Sequence, residues 1–302
     1  MTPRRLLPLL LVLADVPASA RADGPPITSL DAGPEGVVER TGGDRFTALP
    51  SGGQTILTQS QTRGGRVMRA KLLAGRWGVP VVANDGTAGG LSADGATLVL
   101  MRVARAYPRR RSIFAIVRTG ALAESRTVSL RGEWNYDALS PDGSLLYLIQ
   151  QLSRRDRTRY AVRAYDLAAG RLLREPVVDP SEPDEPMRGL PVTRTTGPGG
   201  RWEYTLYAGG DHPFIHALDT VRRESICIDL PHRVARSRRI WGMRLAVRGG
   251  RIAVVSRKRV IASAPRRVER AAAAGGPPWA IAAAGAAGLL VAAGGLRRAT
   301  RG

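Results

Sequence analysis

Leu139-Ser140-Pro141-Asp142-Gly143-Ser144-Leu145-Leu146-Tyr147-Leu148-Ile149 is the stretch whose reading decides the fold. Ser-Pro-Asp-Gly is turn chemistry. Proline presets its own φ, the Asp side chain bonds the backbone ahead of it, and glycine accepts positive φ. The apolar run that follows is short for a helix and rich in Leu, Tyr and Ile, so it reads as a buried strand.

The unit recurs. Ser51-Gly52-Gly53, Ala93-Asp94-Gly95, Pro198-Gly199-Gly200 and Arg248-Gly249-Gly250 join Pro141-Asp142-Gly143, and their last glycines lie 42, 48, 57 and 50 residues apart. Such periods belong to propellers, with about 40–50 residues per four-stranded blade. Each turn is followed by a predicted second strand: 54–59, 97–103, 144–150, 201–207 and 251–256. Third strands follow at 67–73, 112–118, 160–167, 214–219 and 259–263, and fourth strands include 127–130, 172–178 and 225–230. Asp166 to Gly170 is a hairpin turn, and Asp219-Thr220 holds the same place one unit later. The fold class is therefore all-β: a propeller of about five four-stranded blades, starting near residues 46, 90, 134, 190 and 240. The fifth blade is short, and Val37–Arg40 is offered as the strand that completes it and closes the ring.

The Leu-Ser-Pro-Asp-Gly turn, the strand after it, the later Tyr165-Asp166-Leu167 and the near copy Leu91-Ser92-Ala93-Asp94-Gly95 resemble the WD40-like repeats of exported bacterial β-propeller proteins. The resemblance covers roughly residues 46–263; the Trp-Asp pair that names WD40 repeats is absent, and the outer two turns have no Asp. It implies a fold and says little about function.

The ends change class. Residues 1–20 read as a signal peptide: Arg4 and Arg5, an apolar run from Leu6 to Ala14, and the small-residue site Ala18-Ser19-Ala20. Residues 21–45 are a linker, 46–270 the propeller domain and 271–278 a second linker. Trp279 to Leu296 is uncharged and apolar, and as a helix its 18 residues reach about 27 Å, the thickness of a bilayer core. Arg297, Arg298 and Arg301 follow in a six-residue tail. The expected organisation is an exported domain, held on the extracellular side by one C-terminal membrane span, with a short cytoplasmic tail.

The formal net charge is +21, and nearly all the cations are arginine, with Lys71 and Lys258 the two lysines. Two readings stand: a coding bias toward Arg, Ala, Gly and Pro, which is the commoner cause but also permits Asp and Glu and so does not fully explain the imbalance, or a polyanion partner such as anionic lipid or an anionic wall polymer. Nucleic acid is disfavoured, because no aromatics interleave with the basic residues. The single cysteine, Cys227, excludes an intramolecular disulfide and a multi-cysteine zinc site. Between Ile226 and Ile228 it reads as a small buried hydrophobe.

Catalytic signatures are absent: no P-loop, no Gly-x-Ser-x-Gly elbow, no Ser-x-x-Lys. His212 and His216 flank Pro213, and on a strand they stand about 13 Å apart, too far to share one metal. First strands line a propeller channel, which nominates Trp134, Asn135, Tyr136 and Asp137, then Thr193, Arg194 and Thr195, then Trp241, Met243 and Arg244. Asp137 and Arg194 from that lining, and His216 from the third strand of the fourth unit, are the candidates for ligand binding, the commoner reading of His216 being a side chain bonded within its blade. Arg109, Arg110 and Arg111, with Arg154, Arg155 and Arg157, form two basic loops that are either ligand loops or solvated hairpin tips, the latter being commoner. The acidic loop 179–191, with four prolines, reads as a solvated linker.

No cofactor or metal is expected, and a monomer is expected. The leading reading is a membrane-tethered extracellular propeller that binds a protein or an anionic surface polymer. The alternative is a propeller-based hydrolase or lactonase-like enzyme with its site in the central channel.

Overall fold

A computed structural model describes residues 32–104, 107–156, 159–181, 183, 189–208, 212–231, 234, 239–257 and 259–265. The stretch 1–20 expected to be a signal peptide, the stretch 279–296 expected to span a membrane, and Arg157 lie outside the described residues. Among the described residues no helix is long and apolar enough to cross a membrane.

Among the described residues five antiparallel sheets follow one another, each a simple up-and-down meander. The first holds β1 (Val37–Val38), β2 (Asp44–Ser51), β3 (Gln54–Gln61) and β4 (Val67–Ala74). The second holds β5 (Trp77–Gly78), β6 (Thr97–Arg102), β7 (Arg111–Arg118) and β8 (Ala123–Arg131). The third holds β9 (Trp134–Leu139), β10 (Leu145–Gln151), β11 (Tyr160–Asp166) and β12 (Arg171–Val177). The fourth holds β13 (Leu190–Thr196), β14 (Trp202–Ala208), β15 (Phe214–Asp219) and β16 (Glu224–Asp229), and the fifth holds β17 (Arg244–Arg248), β18 (Arg251–Ser256) and β19 (Arg259–Pro265). This architecture fits a β-propeller. Second strands are buried on both faces, as β6 and β14 show, while the fourth strands β8 and β12 are largely exposed. Apolar clusters join sheet 1 to 2, 2 to 3, 3 to 4 and 4 to 5.

The turn that opened the reading is built as its chemistry requires. Ser140 Oγ donates to Asp142 Oδ1 at 2.6 Å and accepts the Leu145 N–H at 2.9 Å, while Asp142 Oδ1 accepts the Ser144 N–H at 3.1 Å. Ser92, Asp94, Ala96 and Thr97 repeat the same three bonds at 2.5, 2.9 and 2.9 Å.

Three sequence expectations change. Val37–Val38 pairs with β2, Val37 opposite Phe46, so it completes the first sheet and not the fifth. A second repeat explains the phase. Thr55 Oγ1 on β3 donates to the Gly75 carbonyl (2.8 Å) and accepts the Trp77 N–H (2.7 Å). Ser112 Oγ on β7 does the same with Gly132 (2.9 Å) and Trp134 (2.8 Å). Thus β3 corresponds to β7, a third strand, and Ser51-Gly52-Gly53 joins second to third strands, whereas 93–95, 141–143 and 198–200 join first to second. The second sheet accordingly begins at Trp77, not near 90. Residues 79–91 form no long first strand. They fold as a hairpin, Val81 bridging Ala88, that reaches the fourth sheet: Asn84 N and Nδ2 both donate to the Pro191 carbonyl (2.9 and 2.8 Å). Finally, Asp179 at the start of the acidic loop is not a solvated linker residue: it is buried and its Oδ2 accepts the Cys227 N–H at 2.8 Å along the edge of β16.

Candidate functional site

Two first strands carry bulges where they approach each other. On β9, Tyr147 pairs with Ala138 and Leu148 with Tyr136, which leaves Asp137 as the extra residue. On β13, Pro191 pairs with Tyr207 and Thr193 with Leu206, which leaves Val192 extra. A bulged residue drops out of the ladder and its side chain is re-aimed. The freed Asp137 carbonyl accepts Arg194 Nη1, and Asp137 Oδ1 accepts Arg194 Nη2. Arg194 Nε donates to Thr205 Oγ1 at 2.8 Å. This ion pair joins sheets 3 and 4, with side chains only 5% and 2% exposed. Burial alone disfavours the Arg194 cation, but the Asp137 and Glu203 carboxylates outweigh it and hold its pKa above the ordinary value.

Arg194, Thr205, His216 and Cys227 form one cross-strand row over β13 to β16. His216 is buried, its Nε2 has no hydrogen-bond partner, and burial pushes its pKa down to about 4 despite the Asp137 charge. Beside it Tyr207 stacks on Phe214 at 5.3 Å and on Tyr160 of the third sheet at 5.9 Å. Burial raises both tyrosine pKa values, so these hydroxyls stay protonated.

Next to the ion pair lies a cavity of about 310 Å³. Arg40 just after β1, residues 87–93, Tyr136 and Asp137 on β9, Arg194 and Thr196 on β13, and Glu203 on β14 contribute to its wall, so four sheets converge there. Gly89 lets the 79–91 hairpin pass Tyr136: a Cβ there would lie 2.6 Å from the ring. Glu203 is half-buried, and its Oε2 accepts Thr196 Oγ1 at 2.9 Å. Burial pushes its carboxyl up to about 7, against the lowering effect of Arg194 and of the Thr196 hydrogen bond. Glu203 is therefore the group in this wall able to exchange a proton near neutrality. Among the described residues no three His, Cys, Asp or Glu side chains stand together as a metal set.

The structure pairs Asp137 with Arg194 and sets His216 two strands along in the same cross-strand row, outside the cavity lining. Arg109 does not join them and is no solvated tip. Its backbone N–H and Nε donate to Glu133 (2.6 and 2.8 Å), and Nη2 donates to the Trp134 carbonyl (2.9 Å) and Asn135 Oδ1 (2.5 Å). The hairpin folds back over the start of β9, and Glu133 draws the guanidinium under cover. Arg110, Arg154 and Arg155 are exposed. Trp134 and Met243 turn into apolar clusters, away from the cavity. Sequence reasoning missed Glu203. Its signal was alternation: Glu203, Thr205 and Tyr207 place polar groups on one face of a strand whose other face is Trp202, Tyr204 and Leu206.

No family model matches the chain, and no curated protein matches it. Similar solved structures include hydrazine synthase from Kuenenia stuttgartiensis, at 15% identity over 77% of this chain and 58% of that one, TM-score 0.43. The Cps50 (Swd1) β-propeller domain of Myceliophteria thermophila is 12% identical over 80% of this chain and 68% of that one, TM-score 0.45. TolB from Acinetobacter baumannii is 15% identical over 64% of this chain and 42% of that one, TM-score 0.34. The Swd1 domain and TolB are β-propeller proteins, and the chain spans 58% of the length of the hydrazine synthase chain and 42% of TolB.

Proposed function

We propose that this chain is an exported β-propeller, tethered by residues 279–296 with its sheets outside, that binds a protein or an anionic surface polymer without turning it over. One observation supports this reading most. The buried arginines Arg109 and Arg194 are each matched by a buried carboxylate, Glu133 and Asp137, while Arg110, Arg154 and Arg155 stand exposed at hairpin tips. The basic excess available to a partner is therefore on the surface. Binding that uses it weakens steeply with salt, because counterions are released in proportion to the charges neutralised. Titrating the purified full chain with heparin and with polyglutamate, at several salt concentrations, tests the polymer reading. Changing Arg110, Arg154 and Arg155 together to Gln lowers affinity and flattens the salt slope. An affinity that ignores salt removes the polyanion and leaves a protein partner.

The hydrolase reading has one specific observation in its favour, the Glu203 carboxyl near 7 beside Asp137 in the cavity. Turnover of a lactone or ester by the full chain, abolished in Glu203→Gln, establishes that reading in place of binding alone.

A further inference from the structure

The cavity wall is balanced. Arg40 and Arg194 line it with Asp137 and Glu203, so its formal charges cancel once Glu203 is ionised, above about pH 7. Its hydrogen-bonding capacity is not used up. Among the described residues Glu203 Oε1 and Asp137 Oδ2 accept no hydrogen bond, and Arg40 is engaged only through Nη2, which donates to the Gly197 carbonyl at 2.8 Å. The wall thus offers both free acceptors and free donors to a space also lined by Tyr136, Val38 and Val82. A charged ligand gains little from a neutral wall and loses its hydration. A hydroxyl both donates and accepts, so adjacent hydroxyls match paired carboxylate and guanidinium groups, and the C–H face of a ring suits the apolar side. About 310 Å³ is at the lower end of the roughly 300–1,000 Å³ of small-molecule sites, which admits one small ring and excludes a polymer strand.

We infer that this cavity binds a single neutral, hydroxyl-rich ring: a monosaccharide, free or as the end unit of a glycan. Glu203 accepts from one hydroxyl pair, and Arg40 donates at the mouth. This goes beyond the surface reading and does not depend on it. Loss of polyanion binding with sugar binding intact, or the reverse, separates the two.

The test uses the purified full chain in detergent, with glucose, galactose and N-acetylglucosamine, their methyl glycosides and a short oligosaccharide as probes. Saturation-transfer NMR and calorimetry are expected to show saturable binding of at least one sugar. Glycosides that bind as well as the free sugar indicate a glycan terminus, and binding of the reducing sugar alone indicates a free sugar; either supports the site. Glu203→Gln, which is isosteric, is expected to weaken binding about tenfold or more without lowering Tm. Affinity also falls between about pH 8 and pH 5.5 as Glu203 takes up a proton. The groups around Glu203 are Asp137 and Tyr136 on β9, Arg194 and Thr196 on β13, and Arg40 after β1. A second variant, Thr196→Val, removes the donor to Glu203 and should weaken binding less. Absence of saturable binding to every sugar overturns the inference. So does sugar binding indifferent to Glu203→Gln, or preferential binding of 1,5-diaminopentane lost in that variant.

Discussion

The interface between sheets 1 and 2 and the interface between sheets 3 and 4 are built on different principles. The first is dry: Phe46, Ala48 and Leu57 meet Trp77, Leu98, Leu100, Ala115 and Val117, all fully buried or nearly so. The second keeps apolar packing around Tyr147, Val162, Val177 and Leu218, but its inner end holds an ion pair, an unpartnered histidine ring nitrogen and two stacked tyrosines. A dry interface gains from burial alone. A buried ion pair barely repays the desolvation of its two charges and gives no stability advantage over apolar packing. The contrast marks sheets 3 and 4 as the part of the molecule where stability yields to a polar arrangement, and the cavity lies beside that arrangement.

The largest expected effect comes from breaking the pair. Arg194→Met leaves Asp137 charged, buried and without its donors, and should cost about 3–5 kcal/mol in urea unfolding. Adding Asp137→Leu should recover much of that loss, because no charge then remains buried. A double variant as damaged as the single one would mean that the pair stabilises the fold outright, and the contrast with the dry interface would collapse.

At the dry interface, Leu98→Ala should cost about 3 kcal/mol through lost burial and the cavity it leaves. That loss should be the same at pH 5 and pH 8, since no titrating group stands in this cluster.

Acid should separate the two interfaces further. His216 sits at about 4 in the folded chain, against an ordinary value of 6.5. Above about pH 6.5 it is neutral in both states and its contribution is complete. As the pH falls toward 4 only the unfolded chain takes the proton, for a loss of about 3 kcal/mol in total. Glu203 runs the opposite way. Its folded value of about 7 lies above the ordinary 4.5, so its contribution is complete below 4.5 and is lost as pH rises through 7. The two slopes oppose each other between 4.5 and 6.5. Wild-type Tm should therefore be nearly flat across that window, and Glu203→Gln should expose a clear fall with acid. Parallel pH profiles for the two proteins would break this assignment.

How much of this was legible follows from the range of the interactions. Turn chemistry and alternation act within a few residues, and they located the strands to within a residue or two, as with β10 and β14. The Gly-x-Trp entries into sheets 2 and 3 were equally local, but their partners Thr55 and Ser112 lie 22 residues upstream of Trp77 and Trp134. The phase of the first sheet was therefore misread. Asp137 and Arg194 were each nominated as channel residues, yet their pairing spans 57 residues and depends on a bulge that no local pattern announces. Residues 79–91 were illegible for the same reason, since the Pro191 carbonyl that holds Asn84 lies 107 positions away. Arg109 was hidden by its neighbours. Three consecutive arginines read as one solvated run, and only a carboxylate 24 positions on tells them apart.

The smallest effect tests the turns that fixed the architecture. Asp142 binds Ser140 and two groups of Ser144, and the Ser140 hydrogen bond, with that from the Ser144 backbone, holds its carboxyl below the ordinary range. The corresponding turn of the fourth sheet keeps only the backbone part: Gly197 N donates to the Trp202 carbonyl at 2.7 Å and Gly200 N to the Gly197 carbonyl at 3.1 Å. Gly199 stands where Asp142 does, but at φ +72°, a left-handed conformation that disfavours a side chain. Asp142→Ala should cost about 1 kcal/mol by removing acceptors from a partly exposed turn. Gly199→Asp should not restore what the fourth sheet lacks. It should destabilise by about 1 kcal/mol, because the aspartate meets backbone strain before it can reach a donor. Urea unfolding of both variants decides it. If Gly199→Asp stabilises the chain, the two turns share one geometry and differ only in side chains. If it destabilises, the fourth sheet has replaced the Asp-centred turn by a glycine-centred one of different backbone shape.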